Sequence, residues 1–176
     1  MISSICSNCN TTAILNSAEY NHSVEQISDS LFRFAVYFLK DSEDAQDVVQ
    51  DAFEKLWLNR EKVENEKVKS WLFTCVHNAM LNQLHRKKTQ KIHLDSIDTS
   101  GFEKPDQSFE SKQVIDLMVA SLPPLQKSIL LLRDLEGYTY EEIGEMLSIP
   151  SAQVKVYLFR ARLKLKKQLK GLFLLA

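Results

Sequence analysis

The C-terminal segment of the chain contains side chains that could bind a polyanion. From Ser151 to the C-terminus there are seven Lys and Arg residues and no Asp or Glu. Lys, Arg and Tyr can hold phosphates, while Gln and Arg can also hydrogen-bond to base edges. The chemistry predicted for this segment is therefore nucleic-acid binding. The alternative is a solvated surface, since helices on protein surfaces normally carry charge.

A long amphipathic helix must position these side chains. Apolar residues recur at helical spacing between Ser151 and Leu169 and form one stripe. The stripe consists of Val154, Leu158, Ala161 and Leu165. The polar face consists of Gln153, Tyr157, Arg160, Lys164 and Lys167, flanked by Lys155, Arg162 and Lys166. Pro150 followed by Ser151 predicts the helix start, with the serine oxygen as its cap.

A second helix is predicted just before this one. Thr139 and Glu142 have the spacing of a capping box, in which each side chain bonds the backbone amide of the other. The helix would run to about Leu147, with Ile143 and Leu147 facing inward. Only three residues then precede the basic helix. Two helices joined by a short turn, of which the second is basic, are typical of a helix-turn-helix. In that motif the second helix enters the DNA major groove.

The composition predicts an all-α chain of one domain or two small ones. The chain has 176 residues, a net charge of -1, and only 4 Gly and 4 Pro. Its periodicity is helical nearly everywhere, and no strand-like alternation is evident. The charge is unevenly distributed, because from Ser23 to Arg60 eight acids face four bases. An acidic body with basic patches fits a protein that meets nucleic acid in one place and another partner elsewhere.

Three helices are predicted in the first half, from about Val24 to Phe38, from Ser42 or Asp44 to Asn59, and from Lys69 to Lys88. The second helix carries an acidic face, for which a solvated surface and a partner-binding surface are both open. That face is Asp47, Gln50, Asp51 and Glu54. The third helix ends in the basic run Arg86, Lys87 and Lys88, as the helix dipole favours.

The predicted division is a flexible arm at 1–22, a first bundle at 23–91, an acidic linker at 92–111 and a second bundle at 112–176. Leu117 is expected to face inward in the second bundle, and the apolar tail from Gly171 is expected to pack back on it. No signal peptide is expected, since the first residues lack a basic region and a continuous apolar core, and no apolar run reaches the length of a membrane span. A cytoplasmic protein is expected.

No metal, cofactor or catalytic site is predicted. Cys6 and Cys9 form a C-x-x-C, but no second pair follows at zinc-ribbon spacing, so two unpaired thiols are the favoured interpretation. His77 and His85 are expected at the surface or hydrogen-bonded, and Cys75 in the core. No paired carboxylates, nucleophile–base pair or phosphate loop occur in a plausible site, and the chain is not expected to be an enzyme.

Four segments in this order resemble bacterial sigma factors of the extracytoplasmic-function group, in particular the set found in Bacteroides-like bacteria. The segments are D-A-Q-D-V-V-Q-D-A-F-E-K-L-W from Asp44, S-W-L-F-T-C-V-H-N from Ser70, L-P-P-L-Q-K-S-I-L-L-L from Leu122, and Y-T-Y-E-E-I-G-E-M-L-S-I-P-S-A-Q-V-K-V-Y-L-F-R-A-R-L-K-L from Tyr138. The resemblance implies two helical bundles, sigma region 2 and sigma region 4, joined by the acidic linker.

The resemblance also implies roles for three sets of residues. The acidic face defined above would dock on the clamp helices of the largest subunit of core RNA polymerase. The −10 promoter element would be opened and read by the third helix, with Trp71 and Asn78 at the melted strand and Arg86, Lys87 and Lys88 holding the DNA backbone. The −35 element would be bound as duplex by the helix that begins at Ser151, with Gln153, Lys155, Val156 and Tyr157 where recognition helices reach bases. Arg160, Arg162 and Lys164 would favour phosphates or packing. Such factors are typically held inactive by an anti-sigma factor, often a membrane-anchored one.

Two positions depart from the family pattern and leave the promoter sequence open. Family members commonly carry a basic residue, Ser and Arg where this chain has Lys155-Val156-Tyr157, and an Arg in the third helix where it has Thr74. Three other interpretations are open: a stand-alone helix-turn-helix regulator, an interaction module that sequesters a partner, and a zinc enzyme built on Cys6 and Cys9. The four ordered segments favour the sigma factor.

Overall fold

The computed structural model describes residues 15–95 and 111–173, and every regular element in these ranges is helical. The helices are α1 Ser17–Leu39, α2 Ser42–Leu58, α3 Val68–Asp95, α4 Ser111–Ala120, α5 Pro124–Leu130, α6 Tyr140–Leu147 and α7 Ser151–Phe173. A 3-10 turn at Asn65–Lys67 precedes α3, and a π-helical segment at Leu131–Leu135 continues α5. The prediction of an all-α fold is confirmed.

Helices α1, α2 and α3 pack together and form the first half of the molecule. Their apolar stripes meet in a core that includes the fully buried Leu31, Phe34, Leu56 and Leu72. Burial of each such side chain contributes about 1.5–3 kcal/mol relative to an exposed one. This core holds the acidic face of α2 outward, away from α1 and α3.

Helices α4 to α7 form the second half. Ile129 of α5, Ile143 of α6 and Val154 of α7 are fully buried, so the two helices of the helix-turn-helix share one core with α5. Ile143 and Leu147 face inward as predicted. Leu117 of α4 does not, because its side chain is 58% exposed and the prediction of an inward position was wrong.

The helix ends differ from the predicted ones where tertiary contacts or caps override local pattern. Asn16 caps α1 in a capping box with Glu19, so α1 begins seven residues before the predicted Val24. Asp41 rather than Ser42 or Asp44 caps α2, accepting from the amides of the first turn. Helix α3 continues to Asp95, beyond the predicted end at Lys88.

Helix α7 differs from the predicted helix at both ends. Its first residue is Ser151 itself, and the carbonyl of Pro150 accepts from the amides of Gln153 and Val154 at 2.8 and 3.2 Å. The helix then runs to Phe173, beyond the predicted end at about Leu169, so Gly171 to Phe173 are helical. The rest of the predicted tail, 174–176, lies outside the described residues.

Candidate functional site

The helix-turn-helix is set by local hydrogen bonds and one close backbone approach. Thr139 and Glu142 form the predicted capping box, with Glu142 N donating to Thr139 Oγ1 at 3.2 Å and Thr139 N donating to Glu142 Oε2 at 2.8 Å. At Gly144, a β-carbon would lie 2.7 Å from the carbonyl oxygen of Ile149 in the turn. Only glycine therefore allows α6 to approach the turn this closely.

Four of the predicted −35 residues lie together on the free surface of α7. Gln153, Val156, Tyr157 and Arg160 line a shallow concavity of about 340 Å³ with Ala152. Gln153, Val156 and Arg160 are exposed, and Tyr157 is half-buried. An amide, a guanidinium, a phenol and an apolar β-branched side chain offer donors, acceptors and a methyl contact, which are the groups that read duplex edges.

Lys155 lies beside this concavity and is positioned by an aromatic ring. Its Nζ is 5.5 Å from the ring centroid of Tyr140, and Arg133 Cζ is 4.8 Å from the same centroid. Arg133 also donates to the carbonyl of Tyr138 at 2.7 Å. The ring thus holds two cations near the N-terminal end of α7, each by a cation–π contact. Sequence reasoning missed Arg133, because Arg133 comes close to Lys155 only in the folded structure.

Phe159 is a second residue that sequence reasoning missed. Its side chain is 67% exposed, and it lies outside the apolar stripe of α7. Val156, three residues earlier, is 47% exposed, so the two make an apolar strip on the free face. The signal was in the sequence, since position 159 falls out of phase with Val154, Leu158 and Ala161.

Of the other predicted −35 residues, Arg162 and Lys164, for which phosphate contact and packing were both open, contact groups of this chain. Arg162 pairs with Asp134, its Nε lying 3.3 Å from Oδ2, and this hydrogen bond raises the pKa of the guanidinium. Lys164 donates to the carbonyl of Ser121 at 2.6 Å. Both side chains therefore bind groups of their own domain, whereas Ser151 lies half-buried at the start of the helix.

The predicted −10 residues are spread along α3. Trp71 is half-buried and Asn78 is exposed, and their spacing of seven residues puts them on one face of the helix. Arg86 is exposed. Lys87 forms an ion pair with Asp44 at the start of α2. The side chain of Lys88 lies outside the described part of the structure.

His77, next to Asn78, is not at the surface or hydrogen-bonded as expected. It is 7% exposed, and its Nε2 has no hydrogen-bond partner among the described residues. Burial lowers its pKa to about 4, so the ring is neutral near pH 7. Its ring lies edge-on to Phe38 at 6.5 Å, which gives it a place in the apolar core of the first half. Cys75, expected in the core, is half-buried.

The acidic face of α2 is exposed along its whole length. Asp47, Gln50, Asp51 and Glu54 are all exposed and form no ion pair or hydrogen bond with another described side chain. Leu58 follows Glu54 by four residues and is 71% exposed, so it extends the face by one apolar contact. Sequence reasoning missed Leu58, because an apolar residue on an amphipathic helix is normally assigned to the core.

Among residues 15–95 and 111–173, no cluster of three or more His, Cys, Asp or Glu side chains could hold a metal ion. The Cys6 and Cys9 pair lies outside these ranges. In the same ranges, no helix combines the length and the apolar character that crossing a bilayer requires.

Two family models match the chain. The Sigma-70 region 2 model matches residues 24–90, and the Sigma-70, region 4 model matches residues 112–165. The sequence is 30% identical to the ECF RNA polymerase sigma factor SigM of Bacillus subtilis over 142 residues, which cover 78% of this chain and 87% of that protein. It is 29% identical to the ECF RNA polymerase sigma-E factor of Escherichia coli over 136 residues, covering 69% of this chain and 71% of that protein.

Solved structures share the fold. The sigma factor RpoE in complex with the anti-sigma factor NepR from Bartonella quintana superposes with a TM-score of 0.69 at 22% identity, over 86% of this chain and 97% of that one. CnrH in complex with the cytosolic domain of CnrY gives a TM-score of 0.67 at 20% identity, over 89% of this chain and 90% of that one. From its two matched regions and its relatives, the chain belongs to the extracytoplasmic-function group of sigma-70 family RNA polymerase sigma factors, which act in transcription initiation.

Proposed function

We propose that three separate surfaces of this sigma factor divide its work between polymerase and promoter. The acidic face of α2 binds core RNA polymerase, α3 binds the −10 element, and the exposed face of α7 binds the −35 element. The observation that carries this division is the opposite charge of two free surfaces, one on α2 and one on α7. Opposite charges select different partners, a basic protein surface and a polyanion.

The acidic face is suited to the clamp helices of the largest polymerase subunit. Its three carboxylates are exposed, so they can meet basic side chains of a partner without first breaking a contact within this chain. Leu58 at the end of the face adds an apolar group that a partner can bury. We assign polymerase binding to Asp47, Gln50, Asp51, Glu54 and Leu58.

The free face of α7 is suited to the major groove. Gln153, Lys155, Val156 and Tyr157 lie in the first two turns, which in helix-turn-helix proteins contact base edges. Arg160 is one turn further and can reach a phosphate. Arg162 and Lys164 support this helix through Asp134 and Ser121, and the role of Ser151 is to begin it.

On α3, we assign contact with the melted −10 strand to Trp71 and Asn78, and contact with the backbone to Arg86, Lys87 and Lys88. Flipping a base out of the stack costs a few kcal/mol, and contacts in a pocket and with stacking side chains must offset that free energy. Lys87 must leave Asp44 to bind phosphate, whereas the exposed Arg86 need not break a described ion pair.

Five further assignments complete the proposal. Residues 23–91 bind polymerase and the −10 element, and residues 112–176 bind the −35 element. Residues 92–111 form a linker between them, and residues 1–22 form an N-terminal arm. The protein acts in the cytoplasm without enzymatic activity of its own. An anti-sigma factor, often membrane-anchored in this family, holds it inactive; the solved RpoE structure of the same fold is bound to the anti-sigma factor NepR. The chain belongs to the Bacteroides-like set.

Transcription with purified components tests the proposal. Sigma-free core polymerase, this protein and fragmented genomic DNA should give transcripts with defined starts and a shared pair of upstream elements. Core from a Bacteroides-like bacterium should support more transcription than Escherichia coli core. Lys155→Ala and Tyr157→Ala should alter −35 preference more than −10 preference. DNA binding without transcription or binding to core would instead favour a stand-alone regulator.

A further inference from the structure

The side of α7 that points away from the core of its domain carries an apolar ridge. Ala152, Val156, Phe159 and Leu163 follow one another at helical spacing, so they lie in a row along one face of the helix. All four side chains are exposed, those of Val156, Phe159 and Leu163 to 47%, 67% and 42%. The ridge lies opposite the buried stripe that begins at Val154.

A row of apolar side chains at the most exposed positions of a helix is unusual for a surface that contacts only water. Single exposed apolar residues are normal on proteins, whereas contiguous ones mark a surface that binds something. Phe159 has the largest apolar side chain of this row, and burying such a side chain is strongly favourable. The apolar ridge is therefore expected to be covered when the protein functions.

Cations on both sides of the ridge indicate what covers it. Around the helix, Arg160 and Lys167 lie on one side of the row, and Lys155 and Lys166 lie on the other. All four are exposed, and no acid occurs from Ser151 to the C-terminus. This arrangement fits a polyanion that offers apolar groups between its charges. Duplex DNA does so in the major groove, where the C5-methyl group of thymine lies between two rows of phosphates.

The first part of the ridge has the dimensions of the groove. From Ala152 to Phe159 the helix rises by about 10 Å, and the major groove is about 12 Å wide. Val156 and Phe159 are about 4.5 Å apart along the helix axis, so they can contact methyl groups of neighbouring base pairs, which are about 3.4 Å apart. Leu163 lies about 6 Å further along the axis and falls outside the N-terminal part that reaches bases.

Gln153 supplies a hydrogen-bonding group that matches this apolar contact. Its side chain lines the same concavity as Val156, three residues further along α7. A glutamine amide can bind N6 and N7 of adenine, and an A·T pair presents these atoms beside the thymine methyl group in the major groove. The amide of Gln153 and the apolar side chain of Val156 therefore favour the same base pairs.

We propose that Val156 and Phe159 determine the specificity of the −35 contact by burying the C5-methyl groups of thymines. The −35 element of this factor then contains A·T pairs where the two side chains enter the groove. The inference rests on the proposed −35 role of α7, and it adds the chemical group that the helix recognises.

The test compares thymine with deoxyuridine in the −35 element that transcription maps. Deoxyuridine pairs with adenine as thymine does but lacks the C5-methyl group, so the exchange removes only the apolar contact. Holoenzyme assembled from core polymerase and the full chain is bound to promoter fragments that contain one base or the other in this element. The ratio of the two dissociation constants is the methyl effect.

Two variants locate the contact on the ridge. Val156→Ser combined with Phe159→Ser removes the two side chains that are proposed to touch methyl groups. The matched control is Leu163→Ser, which removes an exposed apolar side chain of the same ridge one turn further on. All three positions are exposed, so the variants should unfold at nearly the temperature of the wild type, and thermal unfolding checks this.

The wild type should bind the thymine promoter more tightly, by about fourfold for each methyl group that is buried. The Val156/Phe159 variant should bind the thymine and deoxyuridine promoters equally. The Leu163 variant should retain the methyl effect of the wild type, because its side chain lies beyond the bases.

Equal binding of both promoters by the wild type would overturn the inference, and so would a mapped −35 element without A·T pairs. Loss of the methyl effect in the Leu163 variant would also overturn it, because the contact would then not belong to Val156 and Phe159. A Val156/Phe159 variant that keeps the methyl effect but loses affinity for core polymerase would assign the ridge to a protein contact instead.

A different result would contradict the proposed function. If wild-type holoenzyme bound a promoter with a scrambled −35 element as well as the mapped promoter, α7 would not recognise this element at all. A promoter that depends on the −35 element but not on its methyl groups would leave the proposed function intact and overturn only the inference.

Discussion

Helices α2 and α7 each present a row of charged side chains, acidic on α2 and basic on α7. On α2, Asp47, Asp51 and Glu54 are exposed and pair with no described residue. On α7, Arg162 binds Asp134 and Lys164 binds the carbonyl of Ser121, so part of the row stabilises its own domain. The difference teaches that a row of like charge is a binding surface only where neighbouring elements leave it free.

The largest effect is expected from reversing one charge on α2. Asp51→Lys should weaken binding to core polymerase at least about 100-fold, because it places a repulsive charge at the centre of the acidic face. Fluorescence anisotropy with labelled protein and core polymerase measures the affinity. Glu25→Lys, at an exposed position on α1, is the control and should bind normally. Normal binding of the Asp51 variant would disprove the assignment of that face.

A substitution in the helix-turn-helix should damage the second half while sparing the first. In Gly144→Ala the new β-carbon would lie 2.7 Å from the carbonyl oxygen of Ile149, so the turn must shift. We expect a loss of about 1–3 kcal/mol in the stability of this half. Binding to −35 duplex should fall, while binding to core through α2 should remain. Chemical denaturation and duplex binding check this, and an unchanged unfolding midpoint would show that the turn adapts.

The docking of the two halves of the molecule, α1 to α3 and α4 to α7, should depend on pH through Lys127, which is 7% exposed and donates from Nζ to the carbonyl of Phe38 in α1 at 2.6 Å. Burial lowers its pKa to about 8, with Lys40 adding repulsion and Asp116 opposing it. If separation restores the ordinary value of 10.5, the docked state is favoured above that value and loses this advantage as pH falls through 8. Docking should therefore strengthen about tenfold from pH 7 to pH 9. Small-angle scattering at the two pH values measures it.

Lys127→Met should remove this pH dependence while keeping a side chain of similar length. A wild type whose compactness is the same at pH 7 and pH 9 would mean that Lys127 stays buried when the halves separate. That result would locate its burial within the second half alone.

The smallest effects are expected at Arg160 and Arg162 of α7, and they should distinguish the roles of the two arginines. Arg160→Ala should weaken duplex binding about fivefold and lower the salt dependence by about one phosphate contact, without loss of stability. Arg162→Ala should instead lower stability by at most about 1 kcal/mol, because its exposed ion pair with Asp134 is weak. Salt titrations of duplex binding and thermal unfolding distinguish them. Equal losses of salt dependence would place both arginines on DNA.

The features of the fold that could be predicted from the sequence are those that neighbouring residues within one helix determine. The capping box of Thr139 and Glu142 and the inward Ile143 and Leu147 were readable, because hydrogen bonds and stripes over three or four residues determine them. The end of α3 was not, since residues 89–95 have no apolar periodicity that would extend the helix. His77 was misplaced for a different reason: its polar type predicts a surface position, but the packing of α1 against α3 buries it.

For the candidate site, the residue types predicted the chemistry of binding, and the tertiary structure decided which of these side chains are free to bind a partner. Gln153, Tyr157 and Arg160 form one free concavity as their helical spacing required. Phe159 and Leu58 were missed, because an apolar residue between charged ones gives no sign of whether a neighbour covers it. Arg133 joins Lys155 around Tyr140 only because the π-helical segment packs beside α6 and α7.

The sequence by itself determined an all-helical chain with a helix-turn-helix, an acidic face and a basic face, because each depends on periodicity and capping within a single helix. Only the tertiary structure decided which charges remain free, and it brought Glu136 and Glu142 onto the bases of the opposite half. Contacts between residues about 70 to 100 positions apart leave no periodic signal, since nothing in the spacing of either helix records its partner.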